Sequence, residues 1–247
     1  MHRFFAHSKN ISANNISISD KAEAHHLKGV LRIKLKEKLA VFDDKGNEYL
    51  CSVLSLSGAV VLGIEKRVPA GALAYKSKLT IACAIPKNSK MDDIVDKLTQ
   101  LGVDTIIPLL TERVIVKLNK EKKGQRRKRW ERIAFSAAKQ SQRFNLPVIA
   151  PIEEMRGALS RSKGHDLKII LTLAESQRKT LREAFEGNKP TKIYVLIGPE
   201  GDFTDQEIAL AKKEGFAPLT LGDLVLRVET AAVAAASFIR LYLYENR

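Results

Sequence analysis

Cysteine is scarce in this sequence, and its placement offers no pattern for metal or disulfide chemistry. The 247 residues include two cysteines, Cys51 and Cys83. Both fall inside predicted strands, and neither belongs to a CxxC pair or stands at zinc-like spacing from a histidine. We therefore expect both to be buried, reduced thiols rather than ligands or a disulfide.

Long apolar runs are also missing. No stretch approaches the roughly 20 apolar residues that a membrane-spanning helix needs. The first residues, Met1 to Ser8, lack the apolar region of a secretory signal. These absences favour a cytoplasmic protein with no membrane partner.

The familiar phosphate cradles and catalytic elbows are absent as well. No Gly-x-Gly occurs, which excludes the dinucleotide fingerprint and argues against the Rossmann-like methyltransferases, whose first loop needs closely spaced glycines. There is no GxxxxGK(S/T) and no GxSxG, so neither P-loop hydrolysis nor a serine hydrolase is indicated. The five histidines show no HExxH or zinc-like spacing, so no metal site is predicted.

What the sequence has in excess is positive charge. Its 42 Lys and Arg against 28 Asp and Glu give a formal net charge of +14 and a pI near 9.8, so a polyanion is the expected partner. Between positions 117 and 132, nine basic residues stand against two acidic ones. Such a cluster binds phosphate backbones by releasing counterions, but a solvated helix face or anionic lipid explains a lone basic run equally well.

The first 70 residues have the pattern of a small domain of short strands. Apolar runs at 39–42 and 49–54 flank the turn 43–47, which is a hairpin signal, and a third run follows at 59–64. A small β-barrel or sandwich is predicted for residues 1–70. Pro69, Gly71 and the alanines beside them mark a domain boundary.

From residue 79 onward, apolar runs of strand length alternate with amphipathic helical segments, the rhythm of a parallel α/β sheet. This second domain is predicted to cover residues 75–247. Its last helix, Val228 to about Tyr244, contains no Gly or Pro and is rich in alanine, so it can approach a neighbour closely within the subunit or across a dimer. The sequence predicts strands at 79–85, 105–110, 168–173, 192–197 and 217–221, and further helices at 91–101 and 125–143.

Two motifs follow the last predicted strands. The strand 193–197 runs into Gly198-Pro199-Glu200-Gly201-Asp202-Phe203-Thr204, and Thr204 with Glu207 predicts a capping box for the next helix. After the strand 217–221, Arg227 and Glu229 interrupt the approach to an otherwise apolar helix. Ligands bind at the carboxyl ends of parallel strands, so these loops are candidate binding loops, although glycine turns and a capping Arg–Glu pair would give the same pattern.

At these residues the sequence resembles the bacterial RsmE-type enzymes, which methylate N3 of a uridine in 16S ribosomal RNA. The two signatures are Ile197-Gly198-Pro199-Glu200-Gly201 with Glu207, and Leu221-Gly222 through Leu226-Arg227-x-Glu229-Thr230-Ala231. The similarity extends through Lys97–Val103, Ile107-Pro108, Glu112-Arg113 and 138–147, and reaches Arg3-Phe4-Phe5 and His26–Arg32. Nearly the whole chain is included.

The resemblance implies a PUA-like β-barrel RNA-binding domain joined to a SPOUT methyltransferase domain, an α/β fold whose C-terminal segment threads a trefoil knot. Such enzymes take the methyl group from S-adenosylmethionine, hold that cofactor largely by the backbone of three loops, and form homodimers. The implied partner is 16S ribosomal RNA of the small ribosomal subunit. The implied cofactor-binding residues are Leu171, Thr172, Ile197, Gly198, Gly201, Leu221, Gly222, Leu226 and Thr230.

The resemblance also implies roles in catalysis and RNA binding. Arg227 is expected to stabilise the negative charge that develops on the uracil when N3 loses its proton, and Glu229 to orient Arg227 or accept that proton. Gly198 and Gly201 are expected to let the backbone approach the cofactor closely. RNA contacts are expected from Arg3, Arg32, Lys122, Lys123, Arg126, Arg127, Arg129, Gln140 and Arg143.

Two positions depart from the family's pattern. The family often has a second glycine where this chain has Asp202, and a basic residue where it has Leu224. Asp202 could instead cap the following helix. Leu224 removes a charge that would otherwise be available to RNA.

Two other functions stay open at the level of the sequence. One is a SPOUT enzyme acting on another RNA, such as one that methylates a 2′-oxygen of tRNA, which the PUA-like N-terminus disfavours. The other is a non-catalytic RNA-binding protein of ribosome assembly with an empty cofactor site. The intact Arg227-x-Glu229-Thr230 favours an enzyme over this second alternative.

Overall fold

The computed structural model describes residues 2–68, 76–87, 89–114, 119–141, 143, 145–174 and 179–245, without the side chains of residues 21 and 22. These residues divide into two compact units, one drawn from Met1–Tyr75 and Ala138–Leu146 and the other from Lys76–Ala137 and Pro147–Arg247. The boundary predicted at 69–72 lies outside the described residues. The predicted domain ranges, 1–70 and 75–247, stay a prediction.

The first unit is built on a five-stranded sheet in the order β1-β3-β4-β5-β2, in which only β1 and β3 pair in parallel. β1 and β2 are its outer strands, so the described residues form an open, mainly antiparallel half-barrel. This confirms a small β domain but not the closed barrel. The strands are β1 (Arg3–Phe5), β2 (Asn15–Ile18), β3 (Lys38–Phe42), β4 (Glu48–Ser55) and β5 (Val60–Val68), with a 3-10 turn at Ser8–Asn10 and a helix α1 (Lys21–His25) that continues as a π-helical turn (His26–Val30).

The predicted hairpin is confirmed as β3 and β4, and one buried aspartate holds its turn. The Asp43 carboxylate accepts hydrogen bonds from the amides of Lys45 at 2.9 Å and Asn47 at 2.8 Å. It also accepts one from the Tyr49 hydroxyl at 3.0 Å. Gly46 takes the left-handed conformation, φ 81°, that such a turn requires. The turn therefore fixes the register that places the apolar side chains of both strands in the core.

The second unit contains an eight-stranded sheet in which every strand pair is parallel, as predicted. The strand order is β11-β13-β10-β12-β6-β7-β8, and β9 also pairs with β7. Helices cover the sheet, so the central strands are apolar along nearly their whole length. The strands are β6 (Lys78–Ala84), β7 (Thr105–Leu110), β8 (Val148–Ile149), β9 (Glu153–Glu154), β10 (Leu167–Leu171), β11 (Lys179–Thr180), β12 (Lys192–Ile197) and β13 (Ala217–Thr220).

Six helices accompany this sheet in the part of the chain that the structure describes. The alanines Ala232, Ala235 and Ala236 of the last helix are fully buried in the same core as the adjacent helix α2, so they serve packing within the subunit. The helix α3 begins five residues earlier than predicted, because the Asn119 side chain accepts a hydrogen bond from the Lys122 amide at 2.9 Å and caps the first turn. The helices are α2 (Lys90–Gln100), α3 (Lys120–Gln140), α4 (Met155–Ser160), α5 (Leu181–Phe185), α6 (Asp205–Lys213) and α7 (Val228–Glu245).

A buried arginine links α7, the last helix, to residues at the beginning of the second unit in the sequence. Arg240 is 4% exposed, and its guanidinium donates to the carbonyls of Ser77 at 2.9 Å and Gly102 at 2.5 Å. It also pairs with the Asp104 carboxylate at 2.6 Å. Burial raises the pKa of Asp104, but the Leu79 amide and the charges of Arg240 and Lys78 outweigh it and hold the pKa below its usual range.

Both cysteines are buried and unpaired, as predicted. Burial is also the first cause that raises the pKa of Cys51 to about 12, which keeps the thiol protonated. Among the described helices, none is both long and apolar enough to cross a bilayer. The described residues contain no cluster of three or more His, Cys, Asp or Glu side chains suited to a metal ion.

Candidate active site

A cleft lies where the loops after β10, β12 and β13 meet at the carboxyl edge of the parallel sheet. It is open to solvent, and the volume within it that water can reach is about 80 Å³. Its walls are mostly apolar. The lining residues are Leu171, Thr172, Leu173, Ile197, Gly198, Pro199, Glu200, Asp202, Leu219, Thr220, Leu221, Gly222, Leu224, Val225, Leu226, Val228 and Ala231.

The structure brings most of the predicted cofactor residues together in this cleft. Leu171 and Thr172 line it after β10, Ile197 and Gly198 after β12, and a third group, Leu221, Gly222 and Leu226, after β13. Two do not belong to the lining. Thr230 is an exposed residue of α7, and the Gly201 carbonyl instead accepts a hydrogen bond from Arg113.

The packing of the loop leaves little room for a side chain at position 198. A Cβ there would lie 3.0 Å from two ring carbons of Phe203, which is itself 1% exposed. A side chain at position 198 would therefore have to displace the buried Phe203 ring beneath the loop. At Gly201 a Cβ would meet Arg113 at an ordinary 3.5 Å.

Asp202 joins two of the cleft's loops, a role that the sequence did not predict. Its Oδ2 accepts hydrogen bonds from the Thr172 hydroxyl and the Leu173 amide, both at 2.8 Å, and its Oδ1 accepts one from the Phe203 amide at 2.7 Å. The backbone is left-handed, φ 61°, which costs a residue other than glycine roughly 1 kcal/mol or more. The suggestion that Asp202 caps the next helix is wrong.

The cap of α6 is Thr204. Its side chain accepts a hydrogen bond from the Glu207 amide, while the Glu207 carboxylate accepts one from the Thr204 amide at 3.0 Å. This is the predicted capping box. Glu207 is 5% exposed and also accepts a hydrogen bond from the Glu112 amide at 3.1 Å, so α6 is tied to the end of β7.

The charge of the cleft is opposite in sign to that of the chain. Its lining includes two carboxylates, Glu200 and Asp202, and no Lys, Arg or His among the described lining residues. The formal net charge of the whole chain is +14. A cleft of this composition favours a ligand that carries positive charge.

The two predicted catalytic residues stand at the start of α7. The Arg227 side chain is exposed, and it makes no hydrogen bond or ion pair with another described residue. The Glu229 carboxylate accepts a hydrogen bond from Lys90 Nζ at 2.8 Å. Lys90 begins α2, 139 residues earlier, so no motif spacing could have identified it.

The pKa of Glu229 bears on its predicted roles. Partial burial raises this pKa. The hydrogen bonds that the carboxylate accepts from Lys90 and from its own backbone amide, together with the charges of Lys90 and Arg227, lower it by more. The resulting pKa lies below the usual range of a glutamate. Glu229 is therefore ionised near neutral pH and is a weak base.

The basic run on α3 contains two kinds of side chain. Arg127 lies 3.0 Å from Glu131, and Arg129 pairs with Asp92 at 2.6 Å, beside the Trp130 ring nitrogen that also donates to Asp92. The remaining predicted cations are free of ion pairs within the part of the chain that the structure describes. These are Lys122, Lys123 and Arg126, joined by Lys128 of the same helix.

The other predicted RNA-binding residues belong to the first unit. Arg3 has a side chain only 8% exposed, which pairs with Glu48 at 3.0 Å and donates to the Arg143 carbonyl at 3.0 Å. Its guanidinium also lies 4.6 Å from the centre of the Phe42 ring. Arg143 is 9% exposed, so these two arginines stabilise the unit itself. Arg32, φ 49°, and Gln140 are exposed.

Comparison with known proteins finds two matching families. Residues 74–240 match the RNA methyltransferase domain family, and residues 18–61 match the RNA methyltransferase PUA domain family. The ribosomal RNA small subunit methyltransferase E of Synechocystis is 31% identical, over 90% of this chain and 72% of that protein.

Two solved structures resemble this chain over nearly its full length. One is the ribosomal RNA small subunit methyltransferase E of Neisseria gonorrhoeae bound to S-adenosylmethionine, with 29% identity, a TM-score of 0.84 and coverage of 98% of each chain. The other is a putative methyltransferase of Legionella pneumophila in complex with the same cofactor. It has 32% identity, a TM-score of 0.82 and coverage of 97% of each chain.

Proposed function

Because the chain belongs to the RNA methyltransferase family, we propose that it uses S-adenosylmethionine to methylate N3 of a uridine in 16S ribosomal RNA of the small ribosomal subunit. The observation that carries the proposal is the single cleft formed by the loops after β10, β12 and β13. Two full-length structural relatives carry S-adenosylmethionine. The choice of uridine N3 rests on the resemblance of the motifs around Gly198 and Arg227 to those of the RsmE-type enzymes.

The residues of the cleft fit this cofactor. Apolar side chains such as Leu171, Leu219 and Val225 would cover its adenine, and the carboxylates of Glu200 and Asp202 suit a molecule with a sulfonium and an ammonium charge. When bound, S-adenosylmethionine supplies an electrophilic methyl group. The chain's own contribution is to exclude water and to position the uridine for the transfer.

Arg227 is the proposed catalytic residue that stabilises charge. Loss of the N3 proton leaves negative charge on the uracil, and the exposed Arg227 guanidinium has no competing partner among the described residues. Glu229 is held by Lys90 at 2.8 Å, and its lowered pKa makes it a weak base. Of its two predicted roles, the lowered pKa disfavours acceptance of the proton. The carboxylate makes no hydrogen bond or ion pair with Arg227 among the described residues, so it would influence Arg227 through its charge alone.

RNA recognition is proposed for the free cations of α3 together with Arg32 and Gln140. Phosphate contacts from Lys122, Lys123 and Arg126 would hold the RNA without reading its sequence. The match of residues 18–61 to a PUA family supports RNA binding by the N-terminal region. We propose a cytoplasmic location, because that is where a partner of this kind is found.

We also propose that the C-terminal segment is knotted, as the RsmE-type pattern implies. β13 pairs with β10 on the outer side of the sheet, yet α7 packs against β6 and α2 near its centre. The path from β13 to α7 therefore runs along the edge where the cleft lies, since Val228 and Ala231 at the start of α7 still line it. If the chain is stretched by its ends, a knotted chain should unfold to less than its full contour length.

A homodimer is the proposed assembly. Apolar side chains are exposed in the last loop and on α7, with Leu224 79% exposed, Val225 75%, and Leu241 and Tyr244 61% each. Side chains of this size are commonly covered by a partner. Light scattering coupled to size exclusion should give twice the mass of one chain, 27.5 kDa.

The function is tested by titration and by product mapping. S-adenosylmethionine should bind to the isolated protein in calorimetry. Small ribosomal subunits from a strain lacking the enzyme should then gain one methyl group at N3 of a uridine, detected by nucleoside mass spectrometry and by arrest of reverse transcription. Binding without transfer would support the non-catalytic alternative, and a methyl group on tRNA would support the other SPOUT enzyme.

A further inference from the structure

Two aspartates bind the same pair of strands at opposite ends. Before β10 and β12, Asp166 accepts hydrogen bonds from the Thr191 amide at 2.8 Å, the Thr191 hydroxyl at 2.7 Å and the Lys192 amide at 2.8 Å. After the same strands, Asp202 accepts three in a similar pattern, from the Thr172 hydroxyl, the Leu173 amide and the Phe203 amide. Each carboxylate therefore connects the loops that flank β10 and β12 at its own edge of the sheet.

Only the Asp202 end carries the cleft. The strands run in register there, with Leu171 opposite Ile197. Thr172 and Leu173, the donors to Asp202 from the β10 loop, both line the cleft, as does Asp202 itself. Asp166 and its partners lie at the other edge of the sheet, and none of them belongs to the lining.

The backbone at Asp202 indicates what allows a carboxylate to stand where the family often has glycine. A left-handed φ of 61° is a conformation that glycine adopts without strain, and a side chain there persists only where the surroundings fix it. Here the three hydrogen bonds fix it. A carboxylate can accept all three, whereas an amide would present N–H donors to at least one of the same N–H or O–H groups.

We propose that Asp202 is a positioning residue that sets the distance between the first two cofactor loops, so that cofactor affinity depends on a carboxylate at this position. This inference rests on the proposed function, because the ligand is S-adenosylmethionine. Asp202 acts through Thr172 and Leu173 and not through the reacting atoms. Its charge also contributes to the preference of the cleft for a cationic ligand over the product that has lost the sulfonium charge.

The test compares two variants, Asp202→Asn and Asp166→Asn. Each replaces a carboxylate that accepts three hydrogen bonds with an amide of nearly the same shape. Calorimetric titration of each full-length protein with S-adenosylmethionine should show a Kd raised about tenfold or more for Asp202→Asn, the scale of one lost charge-assisted hydrogen bond. Asp166→Asn should stay within about threefold of the parent. Thermal unfolding of both variants shows that the titration is done on folded protein.

A second variant, Asp202→Gly, separates strain from positioning. Glycine relieves the left-handed backbone and so should fold even if Asp202→Asn does not, but it removes all three hydrogen bonds. It should lose cofactor affinity at least as strongly as Asp202→Asn. The ratio of affinities for S-adenosylmethionine and for the demethylated product S-adenosylhomocysteine should also fall in both variants, a change that loss of stability alone does not produce.

Hydrogen exchange in the ligand-free protein tests the connection between the loops separately from cofactor binding. In the ligand-free protein, Asp202→Asn should speed hydrogen exchange at the Leu173 amide, while Asp166→Asn should leave that amide protected. If the parent binds no S-adenosylmethionine, the proposed function fails, and faster exchange at Leu173 would still support the loop connection. Normal affinity in Asp202→Gly, or an equal loss of affinity in Asp166→Asn, would overturn the proposal.

Discussion

The cleft and the helix α3 have opposite electrostatic characters within one compact unit. The described lining of the cleft carries two carboxylates and no basic side chain, whereas residues 120–132 of α3 carry eight basic residues against two acidic ones. A surface of one charge cannot favour both a cationic cofactor and a polyanionic RNA, because it attracts one and repels the other. The difference shows that the positive net charge is not spread evenly over the unit, and it is the separation that we expect if α3 binds RNA and the cleft binds a cationic cofactor.

The largest expected effect sharpens the chemical side of this comparison. Arg227→Ala should reduce methyl transfer by roughly 10²-fold or more, because one donor that stabilises developing charge is lost. Affinity for S-adenosylmethionine should change little, since Arg227 does not line the cleft. Single-turnover transfer and calorimetry measure the two quantities separately. Unchanged turnover would reduce Arg227 to a structural role at the start of α7.

The next effect tests the RNA-binding side. Replacing Lys122, Lys123 and Arg126 together with Gln should flatten the dependence of log RNA affinity on log salt by about 2, at roughly 0.7 to 0.9 per lost phosphate contact. The matched control is Arg127→Gln with Arg129→Gln, whose charges are partly offset by Glu131 and Asp92. This control should change the slope by less than about 1.

Cofactor affinity should be the same in both sets of α3 variants. Filter binding across a salt series gives the slopes. If Arg127 and Arg129 contact phosphates, as the sequence predicts, each of them should reduce the slope as much as each residue of the triple variant. If neither set changes the slope, the α3 cations only face solvent. The comparison between the cleft and α3 would then lose its functional meaning.

A smaller effect concerns the ion pair at the start of α7. Because the folded-state pKa of Glu229 lies below its ordinary value of 4.5, the pair stabilises the chain above that value, and the stabilisation is lost as pH falls through the folded-state pKa. Glu229→Gln should lower the free energy of unfolding by about 1 kcal/mol near pH 7. Denaturant titrations at pH 7 and at successively lower pH below 4.5 should show that the difference shrinks as the folded-state carboxylate becomes protonated.

No effect is expected from metal removal. The proposed cofactor site consists of loop backbone, apolar side chains and two carboxylates, and the described residues contain no cluster of three or more metal-ligating side chains. Methyl transfer should be unchanged by a chelator. Activity that disappears with the chelator and returns with added metal would contradict the assignment of the cleft.

The alternating apolar runs made the parallel sheet and most of its strand bounds predictable. The last helix was predicted at Val228 to about Tyr244 and lies at Val228–Glu245, because no Gly or Pro interrupts it and its alanines favour a helix. The capping box at Thr204 and Glu207 was equally visible, since both partners lie within four residues of each other. Local signals of this kind need no knowledge of the fold.

What the sequence could not provide were contacts between residues far apart in the chain. Asp202 and Thr172 are 30 residues apart, and Lys90 and Glu229 are 139 apart, so their meeting depends on the strand order. The parallel pairing of β1 with β3 has the same origin. The motifs around Gly198 predicted a binding loop by resemblance, but the contact between position 198 and the Phe203 ring depends on packing that the motif does not show.

The anchoring of α7 by Arg240 has a consequence for the order of synthesis. The partners of this side chain, Ser77, Gly102 and Asp104, lie at the beginning of the second unit, whereas α7 follows every other described element. A chain emerging from the ribosome must therefore present β6 and β7 long before β12 and α7 arrive to cover them. The half-barrel strands are complete much earlier, so we expect the first unit's sheet to form during translation and the second unit to complete its core only once α7 has emerged.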